Sequence, residues 1–111
     1  MKKDLQKFEV LFLEEVVDFI ESLDQKTQEK VLENIRISTL QNNPQLFKKL
    51  DKDIWEFRTL YSKKQIRLLA FWDRQQRSLV ICTHGFIKKT QKTPPKELSK
   101  AKKIRTKFLN Q

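Results

Sequence analysis

Residues 54–87 consist of three apolar segments separated by two short polar ones, and read IWEFRTLY, SKK, QIRLLAFW, DRQQR and SLVICTHGFI in succession. In the first segment, aromatic and β-branched side chains alternate with polar ones such as Glu56 and Arg58, which is typical of a half-buried strand. Residues 65–72 and 78–87 are predicted to be strands as well. Because the polar segments are short, we expect an antiparallel meander of three strands.

The residues before this meander predict one further strand and two helices. Residues 8–12, FEVLF, alternate little and favour a strand buried on both faces. From Leu13 to Leu23 apolar residues recur at intervals of three and four, as in an amphipathic helix. A second helix is expected after Asp24, with Thr27 as its N-cap. Since the turn between them is short, the two helices should form an antiparallel hairpin.

The residues after the meander predict a basic amphipathic helix. Thr93 is expected to cap its N-terminus, Pro94 suits its first position, and apolar residues from Leu98 to Phe108 mark one side. The element order is then β-α-α-β-β-β-α, a single α+β domain over residues 1–111. We expect a small, mostly antiparallel sheet packed against the N-terminal helical hairpin, with the basic helix at the C-terminal end.

The positive charge of the chain is concentrated in its second half. Residues 1–50 hold 8 basic and 9 acidic residues, whereas residues 51–111 hold 16 basic and 5 acidic ones. A segregated excess of this kind favours a binding face for a polyanion or an acidic protein. With one cysteine, Cys82, an internal disulfide is excluded. Since no apolar stretch approaches the ~20 residues of a membrane span, a soluble cytoplasmic protein is expected.

Lysines cluster after the last strand of the meander. Lys88, Lys89 and Lys92 lie in a polar turn that leads into the C-terminal helix. The main-chain amides and dipole at the start of that helix would add to the attraction for a phosphate. The structural alternative is a solvated basic loop. Gly85, the only glycine, precedes these lysines and predicts a bulge or a close approach of the backbone.

Two arginines and one histidine are the other candidates for chemistry. Arg58 and Arg67 each interrupt an apolar strand, and a guanidinium held on a rigid strand is suited to bind a phosphate. An ion pair of Arg58 with Glu56 is the structural alternative. His84 could act as acid, base or phosphate donor, although a histidine in a strand is more often structural. Without a His/Cys cluster, no metal ion and no cofactor are expected.

Three stretches carry a resemblance to a known family: IWEFR at residues 54–58, IRL at 66–68 and HGFIKKTQKTP at 84–94. Together they resemble the HigB-like, phage Gp49-related branch of the RelE/ParE toxin superfamily. The resemblance implies a RelE-like fold and the toxin of a type II toxin–antitoxin system. Such a toxin is a metal-independent endoribonuclease that cuts mRNA, typically on the ribosome, and so inhibits translation. A HigA-like helix-turn-helix antitoxin is the implied partner, and the toxin would contact operator DNA only through it.

The resemblance also implies roles for individual residues. Basic residues at the family's motif positions would stabilise negative charge on the phosphate, and His84 would transfer a proton, with Lys88 as its substitute. RelE has a tyrosine near its C-terminal end, whereas this chain has none after Tyr61. The catalytic candidates are Arg58, Arg67, His84 and Lys88, and the candidates for RNA binding are Lys89, Lys92, Lys63 and Lys64.

Two other functions remain open at this point. One is a ParE-like toxin that inhibits DNA gyrase through protein contacts, and the other is a noncatalytic module that binds RNA or the ribosome. Substitution of Arg67 or Lys88 separates an enzyme from a binding module. An enzyme should lose cleavage far more than affinity, whereas a binding module should lose affinity and salt dependence together.

Overall fold

One mixed sheet organises the computed structural model, which describes residues 6–111. Its strands lie in the order β1-β5-β4-β3-β2; β1 is parallel to β5 and the other neighbours are antiparallel. The predicted α+β class and RelE-like arrangement are confirmed. No helix in this part of the chain could cross a membrane. The elements are β1 (Glu9–Phe12), α1 (Glu14–Glu21), α2 (Gln25–Leu40), β2 (Phe47–Lys49), β3 (Trp55–Tyr61), β4 (Lys64–Trp72), β5 (Leu79–Lys88) and α3 (Pro95–Leu109).

The two edge strands differ from the sequence prediction. β2 was not predicted, because three residues are too few to show an alternating pattern; Phe47 in it pairs with Phe57 of β3. β1 was predicted to be buried on both faces, and this was wrong. Val10 and Phe12 pack on the core, but Leu11 on the other face is 41% exposed. Only one face of this edge is covered, since α3 packs against β4 and β5 instead.

The helical hairpin, α1 and α2, covers one face of the sheet, here called the hairpin face. α1 packs against β5 and α2 against β3. Because the apolar residues of α1 recur with helical spacing, Val16 and Ile20 turn inward together, whereas Val17 stays 39% exposed. The core on this side joins residues of both helices to residues of β3, β4 and β5: Val16, Ile20, Val31, Ile35, Phe57, Ile66, Leu68, Ala70, Val80 and Cys82.

Two local features of the hairpin face concern sequence predictions. α2 is capped by Asp24, whose carboxylate accepts the main-chain N–H of Thr27 at 2.9 Å and its hydroxyl at 2.8 Å. Thr27 therefore lies inside the first turn and is not the N-cap. Asp24, three residues earlier, takes that role because its carboxylate accepts the free N–H of Thr27. Gly85 faces α1, where an added Cβ would collide with the Phe19 ring. The predicted close approach of the backbone is confirmed.

α3 covers part of the opposite face, here called the α3 face. A second apolar cluster lies beneath it, with Leu69, Phe71 and Ile81 of the sheet packed against Ala101 and Phe108 of the helix. Ion pairs at 2.8 and 3.5 Å tie the helix to the loop before β3, and join Lys102 to Asp51 and Arg105 to Asp53. Beyond this apolar cluster, the same face of β3, β4 and β5 carries the charged residues Arg58, Arg67 and Lys88.

The start of α3 lies one residue later than predicted. Pro94 occupies the N-cap position and no side chain caps the helix. The Thr93 hydroxyl, predicted to be the cap, instead donates a hydrogen bond of 2.6 Å to Glu56 Oε2 on β3. The charged carboxylate is a strong acceptor for the Thr93 O–H, whereas the start of a helix offers only N–H donors. Thr93 thus ties the loop after β5 to the sheet.

A β-bulge in β5 decides which of its side chains face α3. Ala70 of β4 pairs with Cys82 and the preceding Leu69 pairs with His84, which leaves Thr83 as an additional residue on β5. Before the bulge Ile81 points to the α3 face; after it, the even-numbered residues do. Lys88 therefore emerges on the α3 face and not among the apolar residues of the hairpin face.

Candidate functional site

Three cations meet at the uncovered end of the α3 face. Arg58 of β3 and Arg67 of β4 are directly paired across the antiparallel ladder, so their Cβ atoms are about 5 Å apart. Lys88 of β5 pairs with Gln65, which places it diagonally next to Arg67. We call Arg58, Arg67 and Lys88 the cation cluster. Three like charges at such spacing repel one another unless a negative charge lies between them.

A buried carboxylate supplies that negative charge. Glu56 is 2% exposed, and its Oε1 lies 3.4 Å from Nε of Arg67 and 3.6 Å from Nε of Arg58. Its Oε2 accepts the Thr93 hydroxyl. One carboxylate thus faces three cations, and the cluster keeps a net positive charge. The Arg58–Glu56 ion pair, predicted as the structural alternative, is present within the cation cluster.

Arg67 is the fixed member of the cluster. Its side chain is 5% exposed, and its guanidinium donates hydrogen bonds to the main-chain oxygen of Ile66 at 3.2 Å and to Gln65 Oε1 at 3.0 Å. Nε makes no hydrogen bond within residues 6–111, although Glu56 is near. Burial, followed by the charge of Arg58, lowers the pKa of Arg67, which Glu56 raises in turn. Arg67 therefore holds a positive charge rigidly in a poorly solvated place.

Arg58 and Lys88 are the more accessible members. The Arg58 side chain is 29% exposed and Lys88 is half-buried. Burial and the nearby charge of Arg67 lower the pKa of Lys88, so its ammonium releases a proton more easily than an ordinary lysine does. Both residues line a cleft of about 300 Å³, here called the basic cleft. Its other lining residues are Lys48, Leu50, Glu56, Gln91, Lys92, Thr93 and Leu98.

The structure brings only some of the predicted lysines to this cleft. Lys92 lines it, but Lys89 is exposed beyond the end of β5 and does not. Lys63 lies in the tight β3–β4 turn, where its φ of 65° fits the hairpin geometry. Lys64 points toward the hairpin face, with its Nζ 4.0 Å from Asp24. Alternation along β4 puts Lys64 on the face opposite to Arg67, so these two lysines lie apart from the cation cluster.

His84 is not placed as the catalytic role would require. The residue is 1% exposed; Nδ1 lies 2.9 Å from the Thr83 hydroxyl and Nε2 lies 3.2 Å from Glu97 Oε1 in the first turn of α3. Burial, followed by the charge of Lys100, lowers its pKa despite the opposing effect of Glu97. The ring is therefore neutral near pH 7 and uses both nitrogens to join the sheet to α3.

Sequence reasoning missed two members of the site. Glu56 was predicted to share a strand face with Arg58, but only as its ion-pair partner and not as a member of the site. Lys48 could not be placed because β2 was not predicted. The remaining nucleophile, Cys82, is buried in the core, and burial raises the pKa of its thiol. Within residues 6–111, no three His, Cys, Asp or Glu side chains converge as potential metal ligands.

Comparison with known proteins identifies a family that includes most of this chain. Residues 18–106 match the family described as phage derived protein Gp49-like (DUF891). No curated protein matches the sequence. The matched segment extends from α1 into α3 and includes the whole cation cluster together with Glu56 and Thr93. The chain therefore belongs to the Gp49-like phage-derived protein family, a family of RelE/HigB-like toxins.

Proposed function

We propose that this chain is a HigB-like toxin of a type II toxin–antitoxin system that cuts mRNA on the ribosome as a metal-independent endoribonuclease. The observation that carries the proposal is the convergence of Arg58, Arg67 and Lys88 around one buried carboxylate at an open cleft. A phosphodiester gains negative charge as it is cleaved, and fixed cations beside it stabilise that charge. Family membership supports the same assignment.

In the proposed reaction the ribose 2′-hydroxyl loses its proton to solvent water as its oxygen attacks the adjacent phosphorus, and the 5′-oxygen leaves with a proton from Lys88. The products are a 2′,3′-cyclic phosphate and a 5′-hydroxyl end. Arg58 is exposed enough to contact the phosphate oxygens, and Arg67 adds a positive charge that needs no rearrangement during the reaction. Both stabilise the phosphorane more strongly than the starting phosphodiester, which is what lowers the barrier.

Lys88 is our candidate for the general acid, the role first given to His84. It lies on the same cleft as Arg58, and its lowered pKa favours donation of a proton to the leaving 5′-oxygen. His84 instead positions α3 over the sheet, because neither of its nitrogens faces the cleft. Glu56 and Thr93 act as positioning residues that keep the cations and the loop after β5 in place.

Charge supports the proposed ribosomal substrate and partners. The chain carries a net charge of +10, and α3 adds exposed lysines outside the cleft, such as Lys96 and Lys103, that can bind ribosomal RNA phosphates. A HigA-like helix-turn-helix antitoxin would neutralise the toxin and connect it to operator DNA without base contacts by this chain. We place this pair in the cytoplasm, where translating ribosomes are found.

Cleavage on translating ribosomes tests the proposal. Purified protein is added to a reconstituted translation reaction with a defined mRNA, and new 5′ ends are mapped. Wild type and the control variant Arg77→Met, in the exposed β4–β5 turn, should cut equally, whereas Lys88→Met should cut about 100-fold more slowly and still bind ribosomes. Intact mRNA with wild type would contradict the proposal. Inhibition of gyrase supercoiling, or ribosome binding without cleavage, would identify the two alternative functions.

A further inference from the structure

Arg58 lines both the basic cleft and a second, larger one, which Arg67 lines as well. The second cleft measures about 510 Å³ and lies around the outer edge of β3, beyond the end of β2. We call it the amide cleft, because Gln45 and Gln65 line it together with Leu46, Leu60 and the two arginines. A ligand bound by Arg58 in one cleft can therefore extend into the other.

We propose that the amide cleft binds the nucleobase adjacent to the phosphate held by Arg58, and so determines at which bases the RNA is cut. This inference rests on the proposed function, since it assigns the neighbouring part of the same RNA strand. Leu60 pairs with Gln65 two residue pairs along the ladder from the paired arginines and on the same face of the sheet. Two residues along a strand span about 7 Å, a distance comparable with that from a phosphate to the adjoining base.

The apolar part of the cleft offers a surface for the flat side of a base. Leu60 is 68% exposed, the highest value among the large exposed hydrophobic residues in the described part of the chain. Leu46 lies half-buried at the same cleft, and its main-chain oxygen accepts the N–H of Arg58 at 2.8 Å. That hydrogen bond holds the segment before β2 next to Arg58, so the Leu46 side chain stays close to the guanidinium.

The polar part of the cleft offers hydrogen bonds to the edge of a base. Gln65 Oε1 accepts from Arg67, and its amide NH₂ group makes no hydrogen bond within residues 6–111. The Gln45 side chain also makes none in that part of the chain. An amide has both donors and acceptors, which is what reading the edge of an unpaired base requires. The arginines bind phosphate irrespective of sequence, so discrimination between bases falls to these amides.

A binding experiment that needs no cleavage tests the assignment. Nitrogen-15-labelled protein is titrated with two 2′-O-methyl RNA trinucleotides of equal charge, one with a central adenine and one abasic at that position. The blocked 2′-oxygen cannot attack the phosphate, so binding is observed alone. We expect the side-chain amide signals of Gln45 and Gln65 to shift only with the adenine trinucleotide, which should bind about fivefold more tightly than the abasic one. The Arg58 Nε signal should shift with both.

Matched variants distinguish this inference from the proposed function. Gln45→Ala should abolish the difference between the trinucleotides, whereas Gln75→Ala, in an exposed turn, should retain it. Equal binding of both trinucleotides by wild type, or no shift at either amide, would overturn the base assignment even if the protein cuts mRNA. Base-dependent shifts in a protein that fails to cut mRNA on ribosomes would instead retain the base site and overturn the proposed nuclease activity.

Discussion

The two halves of the α3 face are built by the same three strands and have opposite character. In one half, Leu69, Phe71 and Ile81 are 0% exposed beneath α3. In the other, Arg58 and Lys88 retain contact with solvent, although Glu56 and Arg67 beside them are buried. Burial of the apolar half stabilises the fold. Complete burial of Arg58 and Lys88 would cost free energy, so the charged half stays open to solvent and is available for binding.

The position of α3 separates the two halves. Its first turn contacts His84 through Glu97, and Thr93 just before it contacts Glu56, so the helix begins where the charged residues begin. Beyond that point, the carboxylate of Glu56 offsets the repulsion between Arg58 and Arg67. Stability and binding can therefore be changed separately, by substitutions on the same strands only a few residues apart. The following predictions use this separation, with the largest expected effect first.

Phe71→Ala should have the largest effect, on stability. The ring is fully buried and lies 5.7 Å, between centroids, from the ring of Phe108 in α3. We expect the free energy of unfolding in urea to fall by about 3–5 kcal/mol, because the truncation leaves a cavity. Leu60→Ala, on the same sheet face but 68% exposed, should change it by less than about 0.5 kcal/mol. Similar losses in both variants would contradict the division of the face into two halves.

Arg58→Met should act on cleavage and hardly on stability. Removal of a cation that contacts the reacting phosphate should slow cleavage by about 100- to 1000-fold. The thermal midpoint should change by only a few degrees, since the side chain is 29% exposed and Glu56 keeps Arg67 as its nearer cation. Arg74→Met, in the exposed β4–β5 turn, is the control and should cut as wild type does. Full activity of the Arg58 variant would remove this residue from the mechanism.

Lys88→Arg should alter the pH dependence of cleavage. The general acid must be protonated, so the rate of wild type should be high below the pKa of Lys88 and fall above it. Because that pKa is lowered, the decline should begin below the ordinary lysine value of 10.5. Arginine keeps its proton, so the variant should lose this decline and cut about 100-fold more slowly. Lys92→Arg should retain the decline; a wild-type rate that does not change up to pH 10.5 would argue against Lys88 as acid.

His84→Gln should have the smallest effect, on the pH dependence of stability. The pKa of His84 is lowered in the folded protein, so the unfolded chain takes up the proton first as the pH falls. The stabilising contribution is complete above pH 6.5 and decreases from there toward the folded pKa. Wild type should therefore lose up to roughly 1.4 kcal/mol more per pH unit than the variant in that window. Parallel urea-unfolding curves of both proteins between pH 7.5 and 5.5 would contradict the buried neutral ring.

Local sequence patterns were sufficient for most of the fold and for part of the site. The alternation in Trp55–Tyr61 predicted that Glu56 and Arg58 share a face, and the helical spacing around Val16 predicted α1, because both patterns follow from backbone geometry. The α+β class was predicted correctly for the same reason. The start of α3, the edge position of β1 and the strand β2 were not, since each depends on contacts with residues distant in sequence. The N-cap of α2 was also predicted wrongly, although its contact between Asp24 and Thr27 is local.

The sequence by itself determined the strands, the helices, the excess of positive charge and the identity of the cations, because these depend on residue type and on intervals of two to four residues. Only the tertiary structure decided how the cations meet. The extra residue Thr83 directs Lys88 to the α3 face, the β3–β4 register sets Arg58 opposite Arg67, and Glu56 pairs with both arginines. Register and bulges reflect the packing of the whole sheet, which no short segment encodes.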